Sequence, residues 1–159
     1  MLTIQIVCVG KLKEQYWVQA CAEYAKRLGS FCKFVVHEVG EVRISEKASD
    51  AEIHNALEKE GTSILRLAAN GFVVALCIEG REMESMEMAH LLEKCSVAGH
   101  SMVSFVIGSS HGLCETVKNR VDFKLSLSKM TFPHQLARVV LTEQIYRSFQ
   151  IQSGGKYHK

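Results

Sequence analysis

Proline is almost missing from this sequence: Pro133 is the only one in 159 residues. No linker, low-complexity run or internal repeat interrupts the chain, so it reads as one domain, residues 1–159, large enough for a proper core. No apolar run reaches membrane-spanning length, and the first residues lack a signal-peptide layout. Net charge is only +2, so charge alone does not announce a nucleic-acid binder. Cysteines are present at positions 8, 21, 32, 77, 95 and 114, but none is paired at C-x-x-C spacing. That argues against a zinc site and for buried free thiols in a reducing cytoplasm; no metal is expected. Nucleotide and hydrolase motifs are missing as well. Gly10 is not followed by G-x-x-G, and there is no G-x-x-x-x-G-K-[ST], H-E-x-x-H or G-x-S-x-G.

What is present alternates between strand and helix patterns. Leu2–Val9 is an apolar, β-branched strand ending at Gly10. Trp17, Ala20, Cys21, Tyr24 and Leu28 repeat at helical spacing until Gly29. Phe34–Val39 reads as a second strand, and Ser49 with Glu52 as the capping box of a helix that Gly61 interrupts. Phe72–Ile78, nearly all apolar, suits the centre of a parallel sheet, with Gly80 as the turn after it. Met86–Cys95 is a helix, Met102–Ile107 a strand, and Glu115–Arg120 a short helix. Phe123, Leu125 and Leu127 mark a fifth strand. The alternation predicts an α/β fold with a mostly parallel sheet flanked by helices.

Pro133 suits the first position of a last helix running to about Phe149. That helix is apolar over a broad arc: Leu136, Val139, Val140, Leu141, Ile145, Tyr146 and Phe149. The width is best explained by a second subunit, and a two-fold homodimer is expected. Three strand ends, Leu76–Gly80, Ile107–Gly112 and Leu127–Phe132, should meet at the carboxyl edge of the sheet. Glycines and apolar walls there suit a flat ligand held by main-chain groups. From Lys129 to Lys159 the basic residues are Lys129, Arg138, Arg147, Lys156 and Lys159, against Glu143 as the only acid. Either this stretch meets a polyanion, or it is a solvated basic helix end that complements its own dipole.

Several of these segments carry a family resemblance. Val106–Leu113 (VIGSSHGL) is similar to an I-G-G-x-x-G loop, Leu125–His134 to the second loop of the same family, and Arg138–Arg147 to its helix. Lys156-Tyr157-His158-Lys159 matches its Tyr-His ending, and Ile4–Leu12 its opening. Together they resemble the large-subunit rRNA pseudouridine N3-methyltransferases, called methyltransferase H, small members of the SPOUT class. The resemblance implies a SPOUT-type α/β-knot, a homodimer, and S-adenosylmethionine held by Leu76, Gly108, Leu127, Ser128, Lys129, Met130, Thr131 and Phe132. It implies as substrate a pseudouridine in a stem-loop of 23S rRNA, methylated on assembled ribosomes. A non-catalytic RNA- or ribosome-binding dimer of the same fold is the alternative. The chain departs from the pattern at Ser109, where the family usually has a second glycine.

Methyl transfer to the N3 nitrogen depends on positioning and on a route for the imino proton. His158 is the best proton carrier, since histidine titrates near neutrality. Tyr157 would stack on the base or donate to it; otherwise both belong to a disordered tail. His134 follows the cofactor loop, where capping is the plainer role. Lys11, Lys13, Arg138, Arg147, Lys156 and Lys159 are the expected phosphate contacts, with pairing to Glu143 or a partner chain as the other use of the two arginines.

Overall fold

The structure, a computed structural model, describes all 159 residues. Five strands are joined by five helices: β1 (Thr3–Val9), α1 (Gln15–Leu28), β2 (Lys33–Val39), α2 (Asp50–Leu67), β3 (Phe72–Arg81), α3 (Ser85–Val97), β4 (Met102–Ile107), α4 (Glu115–Lys118), β5 (Phe123–Leu125) and α5 (His134–Gln152). The strands form one sheet in the order β2-β1-β4-β3-β5. Every pairing is parallel.

Side chains alternate across this sheet, and each face is apolar. Ile4, Ile6, Cys8, Val74, Val103, Phe105 and Ile107 pack with residues of α1, α3 and α5. Val7, Val9, Val73, Ala75 and Val106 face the other way, toward Ile64 of α2 and Val117 of α4. Gln5 is the polar exception in β1. Its amide donates to the Leu67 carbonyl at 3.0 Å and to Ser104 Oγ at 3.1 Å, so its burial leaves no orphaned donor. All six cysteines are free.

Four expectations change. The apolar β3 is interior but not central; β4 holds the middle of the order. Gly80 does not turn the chain: it lies inside β3, where the register with β5 slips between Leu76 and Arg81. A Cβ on Gly80 would lie 2.6 Å from the Leu125 carbonyl carbon, so two backbones pass here with no room for a side chain. Gly61 does not break α2, which runs through it because the missing side chain admits Cys114 and Val117. Pro133 stands one place outside α5, as its N-cap with extended ψ of 143°, consistent with a ring that donates nothing to the first turn.

The broad apolar arc of α5 is partly used within one chain. The helix lies between α1 and α3 over the sheet. It buries Ala137, Leu141, Ile145, Tyr146 and Phe149. Phe31 stacks on Phe149 with ring centroids 5.9 Å apart and meets Tyr146 edge-on at 6.1 Å. Neighbours on three sides thus take up Leu141, Ile145, Tyr146 and Phe149, while Leu136, Val139 and Val140 stay half-buried and outside both apolar clusters, so one chain uses only part of the arc.

Candidate functional site

The carboxyl ends of β3, β4 and β5 open into a cleft of about 630 Å³. The three strand ends read from the sequence do converge here. Leu76, Gly108, Leu127, Ser128, Met130, Thr131 and Phe132 all line the cleft. Lys129 does not; its side chain is exposed. The cause is local. Ser126 Oγ donates to the Ser128 carbonyl, and Ser128 Oγ accepts from the Met130 amide, each at 3.0 Å. That tight turn keeps its neighbours on the wall and leaves Lys129 outside.

The Gly108–Gly112 loop is shaped by its own backbone. Gly112 has φ of +85°, in the left-handed region. Its amide donates to the Ser109 carbonyl at 2.9 Å. A side chain on Gly108 would run into the Gly112 carbonyl oxygen, so glycine is needed there for the loop to close on itself. Ser109 causes no comparable strain, because no residue other than glycine has positive φ. Its burial, at 9% exposure, places the extra hydroxyl inside the protein.

Ile78, Glu79 and His111, within the strand ends expected here, and His134 after the last of them also line the cleft; Lys118 of α4 was not anticipated from the sequence. Glu79 and Lys118 form an ion pair at 2.7 Å. The hydrogen bond between them pulls the Glu79 carboxyl down and pushes the Lys118 ammonium up from their ordinary values. The partners lie 39 positions apart on elements that only the sheet brings together, so no spacing motif signals them. Ile78 and Met130 are 73% and 76% exposed, leaving an apolar rim.

The C-terminal tail is ordered and lies on α5. Tyr157 donates its phenol to Glu143 Oε1 at 2.9 Å. Its ring meets Tyr146 edge-on with centroids 4.9 Å apart, and the Arg147 guanidinium lies 4.6 Å from the ring centre. Arg147 is itself held by two bonds to Glu143, of 3.0 and 2.6 Å. Arg147 Nη1 stands 3.2 Å from His158 Nδ1. Arginine only donates, so Nδ1 accepts, and a neutral ring then carries its proton on Nε2. Burial, the bond to Glu143 and that carboxylate's charge push the Tyr157 phenol up to about 12. In this arrangement Tyr157 is a proton donor and His158 presents an N–H on its free nitrogen.

Neither Tyr157 nor His158 lines the cleft. Ala137 does, whereas Glu143 and Arg147 lie about 9 and about 15 Å further along α5 at its rise per residue. Glu143, expected from the sequence as an alternative partner of Arg138 or Arg147, pairs with Arg147 and also anchors Tyr157.

The expected phosphate contacts divide. Lys11, Lys13, Lys156 and Lys159 are exposed. Arg147 is engaged as described. Arg138 is corrected: it is 4% exposed, donating through Nη1 to Glu38 Oε2 and through Nη2 to the Gly10 carbonyl, each at 3.1 Å. A guanidinium buried between the ends of β1 and β2 and the start of α5 holds those elements together and is not open to a phosphate. No group of His, Cys, Asp and Glu side chains is arranged to hold a metal ion, and no helix is long and apolar enough to cross a membrane.

Comparison with known proteins gives consistent matches. A family model described as "Predicted SPOUT methyltransferase" matches residues 2–158. The ribosomal RNA large subunit methyltransferase H of Ligilactobacillus salivarius is 50% identical over 159 residues, covering 99% of this chain and 100% of that one. The proteins of the same name from Clostridium botulinum and Streptococcus equi are 46% and 45% identical with the same coverage. Among solved structures, the tRNA (m1G37) methyltransferase of Aquifex aeolicus superposes with a TM-score of 0.54 at 13% identity, over 92% of this chain and 69% of that one. A Legionella pneumophila methyltransferase solved with SAM superposes with a TM-score of 0.50 at 13% identity, over 95% and 66%. At such identities the structural likeness speaks for the fold alone.

Proposed function

The chain belongs to the SPOUT methyltransferase family, and from that membership we propose that it uses S-adenosylmethionine to methylate N3 of a pseudouridine in a stem-loop of 23S rRNA, on assembled ribosomes. The observation that carries this reading is the cleft itself. Its walls are the segments that resemble methyltransferase H, brought together at one edge of the sheet. Full-length relatives bearing that name support the rRNA substrate.

The residues present fit the cofactor. A cleft of about 630 Å³ falls within the usual range for small-molecule sites, about 300–1,000 Å³. Leu76, Leu127 and Phe132 supply apolar walls for a flat ring, and the main chain around Gly108 supplies polar contacts. When bound, S-adenosylmethionine supplies a methyl on a sulfonium: the N3–C bond forms as the C–S bond breaks, the electron pair stays on sulfur, and the N3 proton leaves.

The chain's own residues supply positioning and a route for that proton. Lys11, Lys13, Lys156 and Lys159 would hold phosphates. Tyr157 would stack on the base, or donate to it once its phenol leaves Glu143. His158 would take the N3 proton at Nδ1 once Arg147 releases that nitrogen. The separation along α5 keeps a chain's tail from its own cleft, so the tail of a second copy is the better supplier and the working unit is a homodimer.

The test is calorimetry with S-adenosylmethionine against ATP and NAD, followed by methyl transfer to ribosomes and to bare 23S rRNA. Binding of S-adenosylmethionine alone, with transfer to ribosomes, is expected. A protein that binds ribosomes but neither binds nor uses the cofactor would be the non-catalytic dimer.

A further inference from the structure

Glu60 is an acid where the fold has no evident need for one. It lies on the inner side of α2 and is 4% exposed. Carboxylates buried to this degree are normally paired. Here only one oxygen is satisfied: Oε2 accepts from the Val42 amide at 3.0 Å, while Oε1 has no partner. An unpaired buried oxygen calls for a physical reason.

The surroundings of that oxygen supply one. The Ser109 hydroxyl faces the Glu60 carboxyl, and His111 of the same loop is near enough to act on it through its charge. α2 lies close against the segment that follows this loop: a Cβ on the adjacent Gly61 would be 2.5 Å from Cys114 Sγ and 3.1 Å from Val117. Glu60 is thus wedged between the segment around Val42 and the loop that walls the cleft. Burial pushes its carboxyl up from the ordinary range, opposed by the Val42 amide and the Ser109 hydroxyl, with Glu41 adding to the rise.

We propose that Glu60 is a positioning residue for the Gly108–Gly112 loop, acting through the Ser109 hydroxyl. The open Oε1 is the acceptor on offer to Ser109 Oγ, and that bond holds the loop in place with or without a ligand. The hydroxyl is available because this chain has serine where the methyltransferase H pattern has glycine; a glycine could make no such bond. The consequence for binding rests on the reading of the cleft as a cofactor site, whereas the contact between Glu60 and the loop does not.

The experiment is a double-mutant cycle of Glu60→Ala with Ser109→Gly, plus Glu60→Gln, read in two ways. The first readout is the dissociation constant for S-adenosylmethionine by calorimetry. The second is amide hydrogen exchange of residues 109–113 in the protein without ligand. In the Ser109 background, Glu60→Ala should raise the dissociation constant roughly tenfold, within the span of coupled neighbours, and speed exchange in the loop. Glu60→Gln keeps an acceptor for Val42 and gains a donor for Ser109, so it should stay near wild type in both readouts. In the Ser109→Gly background, Glu60→Ala should change either readout far less. The lost Val42 bond is common to both backgrounds and cancels. Equal effects in both would show that Glu60 only buttresses the Val42 segment, and would overturn the proposal. If the wild type fails to bind S-adenosylmethionine, the cofactor reading fails, while the exchange cycle still decides whether Glu60 and Ser109 are coupled.

Discussion

Tyr157 illustrates how one partner changes the use of a residue. In the sequence it is an aromatic in a polar ending; in the fold its phenol is tied to Glu143 and raised to about 12. In an unfolded chain a tyrosine titrates near pH 10. Between those values the unfolded chain releases a proton that the folded chain keeps. The contribution to stability is therefore complete below about pH 10 and is lost as pH rises through about 12. Urea midpoints over that window should fall more steeply for wild type than for Tyr157→Phe; parallel profiles would show that the phenol is not held in this way. Gly108 is the second instructive residue. Any side chain there meets the Gly112 carbonyl, so Gly108→Ala should displace the loop while leaving the circular dichroism spectrum nearly unchanged. A loss of about tenfold in affinity for S-adenosylmethionine, ~1.4 kcal/mol, is expected by calorimetry, and unaltered binding would remove this loop from the cofactor site.

Among the elements, α2 and α5 separate intrinsic propensity from packing. Replacing a glycine inside an exposed helix by alanine normally stabilises by roughly 0.5–1 kcal/mol. Gly61 should do the opposite, because its new methyl would press on Cys114 and Val117, both buried. Gly61→Ala is expected to lower stability by about 1–3 kcal/mol, the usual range for overpacking, measured by urea denaturation. A stabilised variant would mean that α2 and the 114–117 segment are not in close contact. In α5 the sheet below and α1 and α3 on either side use Leu141, Ile145, Tyr146 and Phe149, while Leu136, Val139 and Val140 stay half-buried. The same helix carries Ala137 at the cleft and Glu143 and Arg147 under the tail, so one rigid element sets the spacing between cleft and tail.

For the whole molecule that spacing has a consequence. One chain holds its tail on the far part of α5 and its cleft at the near end, and the proposed reaction uses both. Light scattering at micromolar concentration should therefore report a dimer of two 17.8 kDa chains. A chain truncated after Gly155 should remain dimeric and bind S-adenosylmethionine normally, because neither Tyr157 nor His158 lines the cleft. It should lose nearly all methyl transfer to ribosomes, and His158→Ala should lose much of it. Full-rate transfer by the truncated protein would sever the tail from catalysis, and a fully active monomer would remove the shared site.

Local patterns determined a good deal of this protein. The apolar, β-branched segments are strands, and helical spacing marks α1, α2, α3 and α5, since those periods reflect burial on one side of a regular backbone. Glycines and small polar residues after the strands marked the cleft, because a parallel sheet collects its strand ends at one edge. The family resemblance added the expected residues there. What the sequence did not contain was strand order, which arises from competition among apolar strands of similar character and put β4 at the centre. Nor did it contain pairings across long separations: Arg138 with Glu38, Glu79 with Lys118, and Glu60 beneath Ser109. A charged residue reads alike in sequence whether solvent or a buried partner meets it. Only the packed tertiary structure decides which, because desolvation and hydrogen-bond geometry exist only once the elements are in contact.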